Sequence, residues 1–333
     1  MRIVKKLFPK QIIRQLSDKE FHVGANVIKN NLKLKPGEKV LIVTDHYKEK
    51  IEAAIFFEAA KKFTKNVELI SFNGMTENAQ EPEENVAKKM KQADTALLVT
   101  TYSLSHTQAR QKACQAGARI ISLPGITREM ILRTLSVDYS EISKLCQKLQ
   151  TVMNRGSQVT ITSPAGTNLK LSIRNRFALS DTGNFSKPGS FGNLPAGETF
   201  IAPIENKTEG IVVFDGAIAD IELDKPIILE IKAGKTISIS GGKAAKQLKH
   251  LIELAGEKAK IVCEFGIGTN KTTKLCPEVL EAEKVFGTCH LAFGNNATFG
   301  GNNSVHFHSD GIIKKPTIII DNKIILKNGK FII

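Results

Sequence analysis

The last quarter of the sequence concentrates side chains that can bind a metal ion. Three of the seven histidines, His290, His306 and His308, lie within nineteen residues, among glycines and asparagines instead of helical repeats. Imidazole and carboxylate together suit Zn, Co, Mn or Fe. His308 and Asp310 are two residues apart, so both would face the same side of an extended segment. Taken alone, such a pair is also typical of a turn or a solvated strand.

Carboxylates and thiols upstream extend this region. Glu264 begins the segment EFGIGTN, whose glycines Gly266 and Gly268 allow the main chain to approach an ion or a substrate closely. Cys263 and Cys289 directly precede Glu264 and His290. In a regular strand, neighbouring side chains face opposite ways, which predicts that the two thiols point away from Glu264 and His290 and are buried.

Several longer motifs resemble one enzyme family. They are AGETFIAPIE (196–205), EFGIGTN (264–270), EKVFGTCHLAFG (283–294) and HSDGII (308–313), joined by SLSHTQAR (103–110), GARIISLPGIT (117–127) and GNLPAGE (192–198). The sequence resembles the M29 metallo-aminopeptidases, the leucyl aminopeptidase and aminopeptidase T group, in a shorter form. The resemblance implies a two-domain, homodimeric hydrolase that removes leucine-like N-terminal residues from peptides with two divalent ions (Zn, Co or Mn).

The resemblance also implies roles for individual residues. The positions that match the family's metal ligands are Glu198, Glu264, His290, His308 and Asp310, with Glu264 as the bridging ligand. Two such ions would lower the pKa of a shared water and generate a nucleophile near pH 7.

Two further residues are candidates for the catalytic set beside Glu264. Glu283 would orient a ligand or carry a proton, and the alternative is an ordinary surface pair with Lys284. His106 would reach from the first domain toward the metals, and the alternative is a helix N-terminal residue without a special role.

The sequence departs from the M29 pattern at Ala297. The family carries a tyrosine at this position, which is thought to steady the tetrahedral intermediate, and no tyrosine lies in the C-terminal half of this chain. Loss of such a donor lowers rates about a hundredfold or more. The substitution therefore predicts slow or absent peptide hydrolysis.

Two other functions stay open. Dihydroxypyridine dioxygenases resemble this family but use one iron, and His290, His308 and Asp310 would form a triad of two histidines and one carboxylate for such ring-cleaving chemistry. Retention of Glu198 and Glu264 favours two metals instead. The second alternative is a non-catalytic protein that binds metal or polyanions.

Composition limits the partners. The net charge is +14, but the lysines are spread along the chain, and 17 Phe, 3 Tyr and no Trp leave few stacking platforms, so no specific nucleic-acid binding is expected. The sequence lacks a run of eighteen apolar residues and a recognisable signal peptide. We therefore expect a cytoplasmic protein without a membrane segment. Five cysteines without a C-x-x-C pair argue against a disulfide framework.

The chain reads as two domains. Strands and helices alternate from about residue 39 to 123, which predicts a doubly wound parallel sheet in an α/β, Rossmann-like domain over 1–155. Helical spacing also predicts one or two amphipathic helices over 9–32. Short apolar runs separated by Gly, Pro and Asn predict an α+β, mainly antiparallel, metal-binding domain over 156–333.

Overall fold

The chain divides into two compact units. The computed structural model describes residues 15–45, 50–219 and 221–333. The first unit comprises the chain up to Tyr139 together with Gly183–Ala196, and the second comprises Ser140–Thr182 and Gly197–Ile333. This division differs from the predicted single boundary after residue 155, because the connecting helix belongs almost wholly to the second unit and the chain later returns to the first.

The helices and strands are numbered here in chain order through the described ranges. The helices are α1 (Asp18–Asn26), α2 (Lys50–Ala60), α3 (Glu84–Gln92), α4 (Gln108–Gln115), α5 (Arg128–Thr134), α6 (Tyr139–Arg155), α7 (Lys243–Ala255) and α8 (Val279–Ala282). The first ten strands are β1 (Val40–Asp45), β2 (Val67–Phe72), β3 (Thr95–Val99), β4 (Arg119–Ser122), β5 (Gln158–Thr162), β6 (Asn168–Ser172), β7 (Leu179–Asp181), β8 (Phe191–Asn193), β9 (Glu198–Ile201) and β10 (Thr208–Phe214). The others are β11 (Ile227–Lys232), β12 (Lys235–Ser240), β13 (Val262–Gly268), β14 (Cys289–Gly294), β15 (His308–Ile313), β16 (Thr317–Ile320), β17 (Lys323–Lys327) and β18 (Lys330–Phe331).

The first unit contains a parallel sheet in the order β2-β1-β3-β4-β8. Every residue of β1 is buried, as its apolar run VLIV predicts for a central parallel strand. Leu41 and Val43 pack with Val86 and Met90 of α3, while the alternate residue Ile42 is buried on the opposite face. The sheet is therefore covered on both faces, as in a doubly wound fold.

The second unit contains two antiparallel sheets that share one core. The larger runs β12-β11-β10-β6-β5-β16-β17-β18, and the smaller runs β15-β14-β13-β9-β7. Residues of β11 alternate between buried and exposed, the pattern of a sheet with one face on the core. Leu229 of the larger sheet and Phe265, Leu291 and Phe293 of the smaller one belong to the same apolar cluster. The other face of the smaller sheet is thereby left for polar chemistry.

The predicted fold class is confirmed: an α/β unit with a parallel sheet and a mainly antiparallel α+β unit. The helix predicted over 9–32 falls partly on residues outside the described ranges, and within them α1 is followed by a π-helical turn at Val27–Asn31. Among the described helices, none is long and apolar enough to cross a bilayer.

One pH effect on stability follows from the start of α1. Glu20 accepts hydrogen bonds from Arg128 and from the backbone N–H and hydroxyl of Ser17, at 2.8 and 2.7 Å for the two Ser17 donors. The Arg128 hydrogen bond is the main cause that lowers the pKa of Glu20 from 4.5 to about 2. Because the folded pKa is depressed, this interaction stabilises the fold fully above about pH 4.5 and is lost as the pH falls toward 2.

We therefore expect Glu20→Gln to lower the free energy of unfolding at pH 7 and to flatten its decline between pH 4.5 and 2. Urea unfolding followed by circular dichroism at a series of pH values measures both. Glu141→Gln is the matched control, because the Glu141 side chain is 78% exposed in its ion pair with Lys144. Equal slopes for wild type and Glu20→Gln would contradict the expectation.

Candidate metal centre

The candidate ligands lie on the polar face of the smaller antiparallel sheet. The strand register pairs Gly266 with His290, Gly268 with Glu198, and Ala292 with Asp310. Directly paired residues of antiparallel strands project on the same side, and so do residues two apart. The sheet therefore brings together side chains that are more than a hundred residues apart in sequence.

These side chains form two groups of three that share Glu264. The inner group is Glu198, Glu264 and His290, and the outer group is Glu264, His308 and Asp310; in each group, one donor atom per residue lies within 4.8 Å of the others. His290 Nε2 is 3.5 Å from a carboxylate oxygen of both Glu198 and Glu264. His308 Nε2 is 3.5 Å from Glu264 Oε2 and 3.4 Å from Asp310 Oδ2. The five residues that match the M29 ligands are thus brought together.

The two groups differ in access to solvent. The His290 imidazole is fully buried, whereas 27% of the His308 side chain is exposed. Nδ1 of His308 lies 3.1 Å from the carbonyl oxygen of Asn295. A proton on Nδ1 would donate to that carbonyl and leave the Nε2 lone pair facing Glu264 and Asp310. The centre therefore opens at the outer group.

Unsatisfied polar atoms indicate that these residues suit a metal ion. Both ring nitrogens of His290, Oε2 of Glu198 and Oδ1 of Asp310 are buried without a hydrogen-bond partner. A buried polar atom without a partner costs about 1–3 kcal/mol. Carboxylate oxygens and neutral imidazole nitrogens are ligands for divalent first-row metals, and a bound ion would use these atoms. The donor set fits a metal centre.

Electrostatic coupling in the cluster agrees with this conclusion. Burial raises the pKa of Glu264, since it disfavours the charged carboxylate. Burial also opposes charge on His290, but the Glu264 carboxylate 3.5 Å away and the charges of Glu198 and Asp310 outweigh it and raise the pKa of His290 to about 9. A metal ion bound at His290 would displace the proton that this raised pKa favours.

Lys284 is a site residue that the sequence analysis treated only as a surface partner of Glu283. Its side chain is buried, its Nζ donates to Glu198 Oε1 at 3.1 Å, and it also hydrogen-bonds Glu283. Burial opposes the charge, but Glu198 and Glu283 outweigh it and raise the pKa of Lys284. The Glu283–Lys284 pair exists, but it is part of the centre and not of the surface.

A β-bulge changes the predicted direction of Cys263. The pairing of β13 with β14 shifts register between Val262 and Glu264, and Cys263 Sγ lies 3.7 Å from His308 Nδ1. Cys263 is buried, as predicted, but its thiol contacts a candidate ligand of the site, because the bulge breaks the strict alternation of a regular strand. Cys289 does lie in the apolar core.

Other predicted site residues lie elsewhere. His106 is exposed in the first unit, just before Thr107, which caps α4, and its reach toward the metals stays a prediction. Ala297 is exposed in a turn after β14. Among the described residues, the two histidines fall into different ligand groups, and each of them lies 3.5 Å from an oxygen of the shared Glu264.

Comparison with known proteins decides the family. A family model described as NicX, 2,5-dihydroxypyridine 5,6-dioxygenase, matches residues 26–333. The chain belongs to this family. A 2,5-dihydroxypyridine 5,6-dioxygenase of Pseudomonas putida KT2440 is 22% identical over 323 residues, which cover 88% of this chain and 90% of the relative.

Solved structures agree on the fold of this NicX family member. The 2,5-dihydroxypyridine dioxygenase of Pseudomonas putida KT2440 superposes with a TM-score of 0.82 at 18% identity, covering 95% of this chain and 98% of the other. Wild-type AmpT of Thermus thermophilus gives a TM-score of 0.71 at 16% identity, covering 95% and 99%. The M29-like scaffold is therefore supported, although the family is the dioxygenase one.

The family corrects the predicted activity. The sequence motifs led to a metallo-aminopeptidase, a hydrolase that acts in proteolysis, and this prediction is wrong because the family model and the relative from Pseudomonas putida are dioxygenases. The motifs misled because both kinds of enzyme share the scaffold on which the ligands lie. Metal binding itself fits the site, and the number and identity of the ions stay open to proposal.

The absence of a side chain at Gly266 shapes the centre. A methyl group at this position would overlap Nε2 and Cε1 of the His290 ring. We expect Gly266→Ala to push the imidazole away from Glu264 and to weaken Co²⁺ binding by about tenfold or more, the scale of a misplaced ligand. Isothermal titration of the metal-free protein measures the affinity, and thermal melting checks the fold. Unchanged affinity in a folded variant would contradict this account of Gly266.

Proposed function

We propose that this protein is a metal-dependent dioxygenase that adds both atoms of O₂ to a hydroxylated, nitrogen-containing aromatic ring of the 2,5-dihydroxypyridine type. The observation that carries the proposal is the family match over residues 26–333, to which the solvent-accessible outer group adds a place for the chemistry. The relative from Pseudomonas putida is named for this reaction.

The outer group is the proposed metal position. Glu264, His308 and Asp310 supply two carboxylates and one imidazole, a donor set that ferrous iron accepts. A bound iron ion would supply the electron-transfer chemistry that lets O₂ react with an organic ring. The exposed edge of His308 leaves an approach for substrate beside these ligands.

Aromatic side chains next to the outer group support a flat ring as the substrate. Phe200 lies two residues after Glu198 on the polar face of the sheet, and both Phe200 and Phe299 are half-buried. The Phe299 ring contacts Phe200 edge to face at 5.6 Å between centroids and His308 at 6.2 Å. Edge-to-face and offset contacts are the arrangements that a further aromatic ring would also favour.

A polar network holds Phe299 in place. The loop that carries it, residues 295–307, is joined to the Glu205 carboxylate by the backbone N–H of Asn302 at 2.7 Å and by the Asn296 side chain at 3.2 Å. Arg176 pairs with Glu205 at 2.7 Å and also donates to the carbonyl of Gly300. Phe299 therefore keeps a defined position beside His308, which favours a rigid ring over a flexible chain as the bound group.

Oxygen uptake tests the proposed reaction. Protein reconstituted with Fe²⁺ under argon is mixed with 2,5-dihydroxypyridine in aerated buffer, and an oxygen electrode and the ring absorbance are followed together. We expect equal consumption of O₂ and of the ring, and at least a hundredfold lower rate for Glu264→Gln because both ligand groups lose a charged donor. Leucyl-p-nitroanilide, the matched hydrolase substrate, should not be cleaved. Absence of ring-dependent oxygen uptake in the iron-loaded protein would refute the proposal.

Truncation of the aromatic wall tests the substrate class. We expect Phe299→Ala to raise KM for 2,5-dihydroxypyridine about tenfold, since one aromatic contact is worth about 0.5–1.5 kcal/mol beyond the buried area. Phe299→Leu, which keeps apolar bulk, should lose less. Iron content of both variants should equal that of the wild type, because Phe299 offers no ligand atom. An unchanged KM in Phe299→Ala would mean that the substrate ring does not bind against Phe299.

A further inference from the structure

An apolar side chain at the edge of the smaller sheet lies next to the aromatic wall of the proposed substrate site. Leu179 of β7 pairs directly with Phe200 of β9, so both side chains project on the same face as Glu198. Phe200 in turn contacts Phe299, whose ring lies beside His308. A row of apolar side chains therefore runs from the outer ligand group to the sheet edge.

The neighbours of Leu179 fix its direction. The Ser180 hydroxyl lies 3.0 Å from the hydroxyl of Thr199 and donates to the carbonyl of Cys146 in α6 at 3.3 Å. Both backbone polar groups of Ala178 hydrogen-bond side chains of the same helix, at 2.7 and 2.8 Å. Because successive side chains of a strand alternate, the contact of Ser180 with α6 turns Leu179 away from the helix and toward the ligand face.

No further strand of the described chain covers Leu179. β7 is the edge strand of the smaller sheet, and 43% of Leu179 is exposed. A single exposed leucine is ordinary on a protein surface, but this one continues an aromatic wall that borders a ligand group. An apolar group that covered it would remove that surface from water, which favours binding.

The surroundings of Leu179 favour an uncharged group. Leu179 and Phe200 offer no side-chain hydrogen-bond donor to an anion. Asp181, two residues after Leu179, pairs directly with Glu198, so both carboxylates share this face and would repel a negative charge. An alkyl group would contact the Leu179 side chain without this penalty.

The spacing of the strands sets the reach that such a group needs. β7 lies two strands from β13, which carries Glu264, and neighbouring strands are about 4.8 Å apart, so about 10 Å separates Leu179 from Glu264 across the sheet. A ring beside Glu264 covers about half of this distance, and about three further carbon atoms span the rest.

We propose that Leu179 and Phe200 form a subsite for a short, uncharged apolar substituent on the dihydroxypyridine ring, so that the preferred substrate is an alkyl-substituted ring. The inference rests on the proposed function and narrows its substrate class. On this account Leu179 is a specificity-determining residue, which contacts the substituent and neither the metal ion nor the reacting ring atoms.

Binding under argon tests the subsite without the reaction. Iron-loaded protein is titrated calorimetrically with 2,5-dihydroxypyridine and with its propyl and carboxyethyl derivatives at each free ring carbon, which are matched in chain length. We expect the propyl compound of one position to bind at least about tenfold more tightly than the parent ring, since each buried methylene is worth about fourfold in affinity. The carboxyethyl compound of that position should bind no more tightly than the parent.

Leucine variants separate the subsite from a general effect of surface hydrophobicity. Leu179→Ser should remove most of the gain from the propyl group and leave the affinity for the unsubstituted ring unchanged, because Leu179 touches only the substituent. Leu179→Met, which keeps apolar bulk, should retain most of the gain. Leu254→Ser is the matched control, because Leu254 is 72% exposed on α7, and it should keep the whole gain. Thermal melting checks that each variant is folded.

Three results would overturn the inference: no propyl compound that binds more tightly than the parent ring, a carboxyethyl compound that gains as much as the propyl one, or a propyl gain that survives in folded Leu179→Ser. Failure of the proposed function looks different. Ring-dependent oxygen uptake without a propyl gain would refute only the subsite. A propyl gain that depends on Leu179, without oxygen uptake, would refute the proposed reaction and leave the subsite standing.

Discussion

The concentration of charge on one face of the smaller sheet is the constraint on which the rest of the second unit depends. Glu198, Glu264 and Asp310 are buried carboxylates, and burial without a cation is strongly unfavourable. Protonated histidines, Lys284 and a bound metal are the available counter-charges. The buried face persists because each carboxylate lies next to at least one of these groups.

The smaller sheet makes this cluster of buried charges possible because one of its faces packs in the apolar core and the other carries the candidate ligands. Phe265, Leu291 and Phe293 point into the apolar core, and the residues between them carry ligands or are small, such as Gly266 and Ala292. The core thereby fixes the strand register, and the register fixes which donor atoms meet. A slip of one residue between β13 and β14 would exchange ligands for core residues.

Much of this organisation could be predicted from local sequence. The continuous burial of β1 is typical of a parallel sheet, and the alternation of buried and exposed residues in β11 is typical of an antiparallel one. The histidine-rich C-terminal region predicts a metal centre. Features set by distant partners could not be predicted. Lys284 is buried because Glu198, 86 residues away, accepts its hydrogen bond, and the side chain of Cys263 turns because a neighbouring strand shifts register. The sequence offered both chemistries, with hydrolysis as the main prediction and ring-cleaving dioxygenation as the alternative, and the main prediction was wrong because the dioxygenase family and AmpT share one scaffold.

The path of the chain through β7, β8 and β9 has a consequence for dissecting the molecule. β7 and β9 pair with each other in the smaller sheet, whereas β8, which lies between them in sequence, pairs with β4 in the parallel sheet. No single cut therefore separates the two units. A fragment that begins after α6 would carry β8 without its neighbouring strand, and a fragment that ends at Tyr139 would lack the edge strand of its own sheet. A single crossover between relatives of this protein would therefore leave at least one unit with segments from both parents.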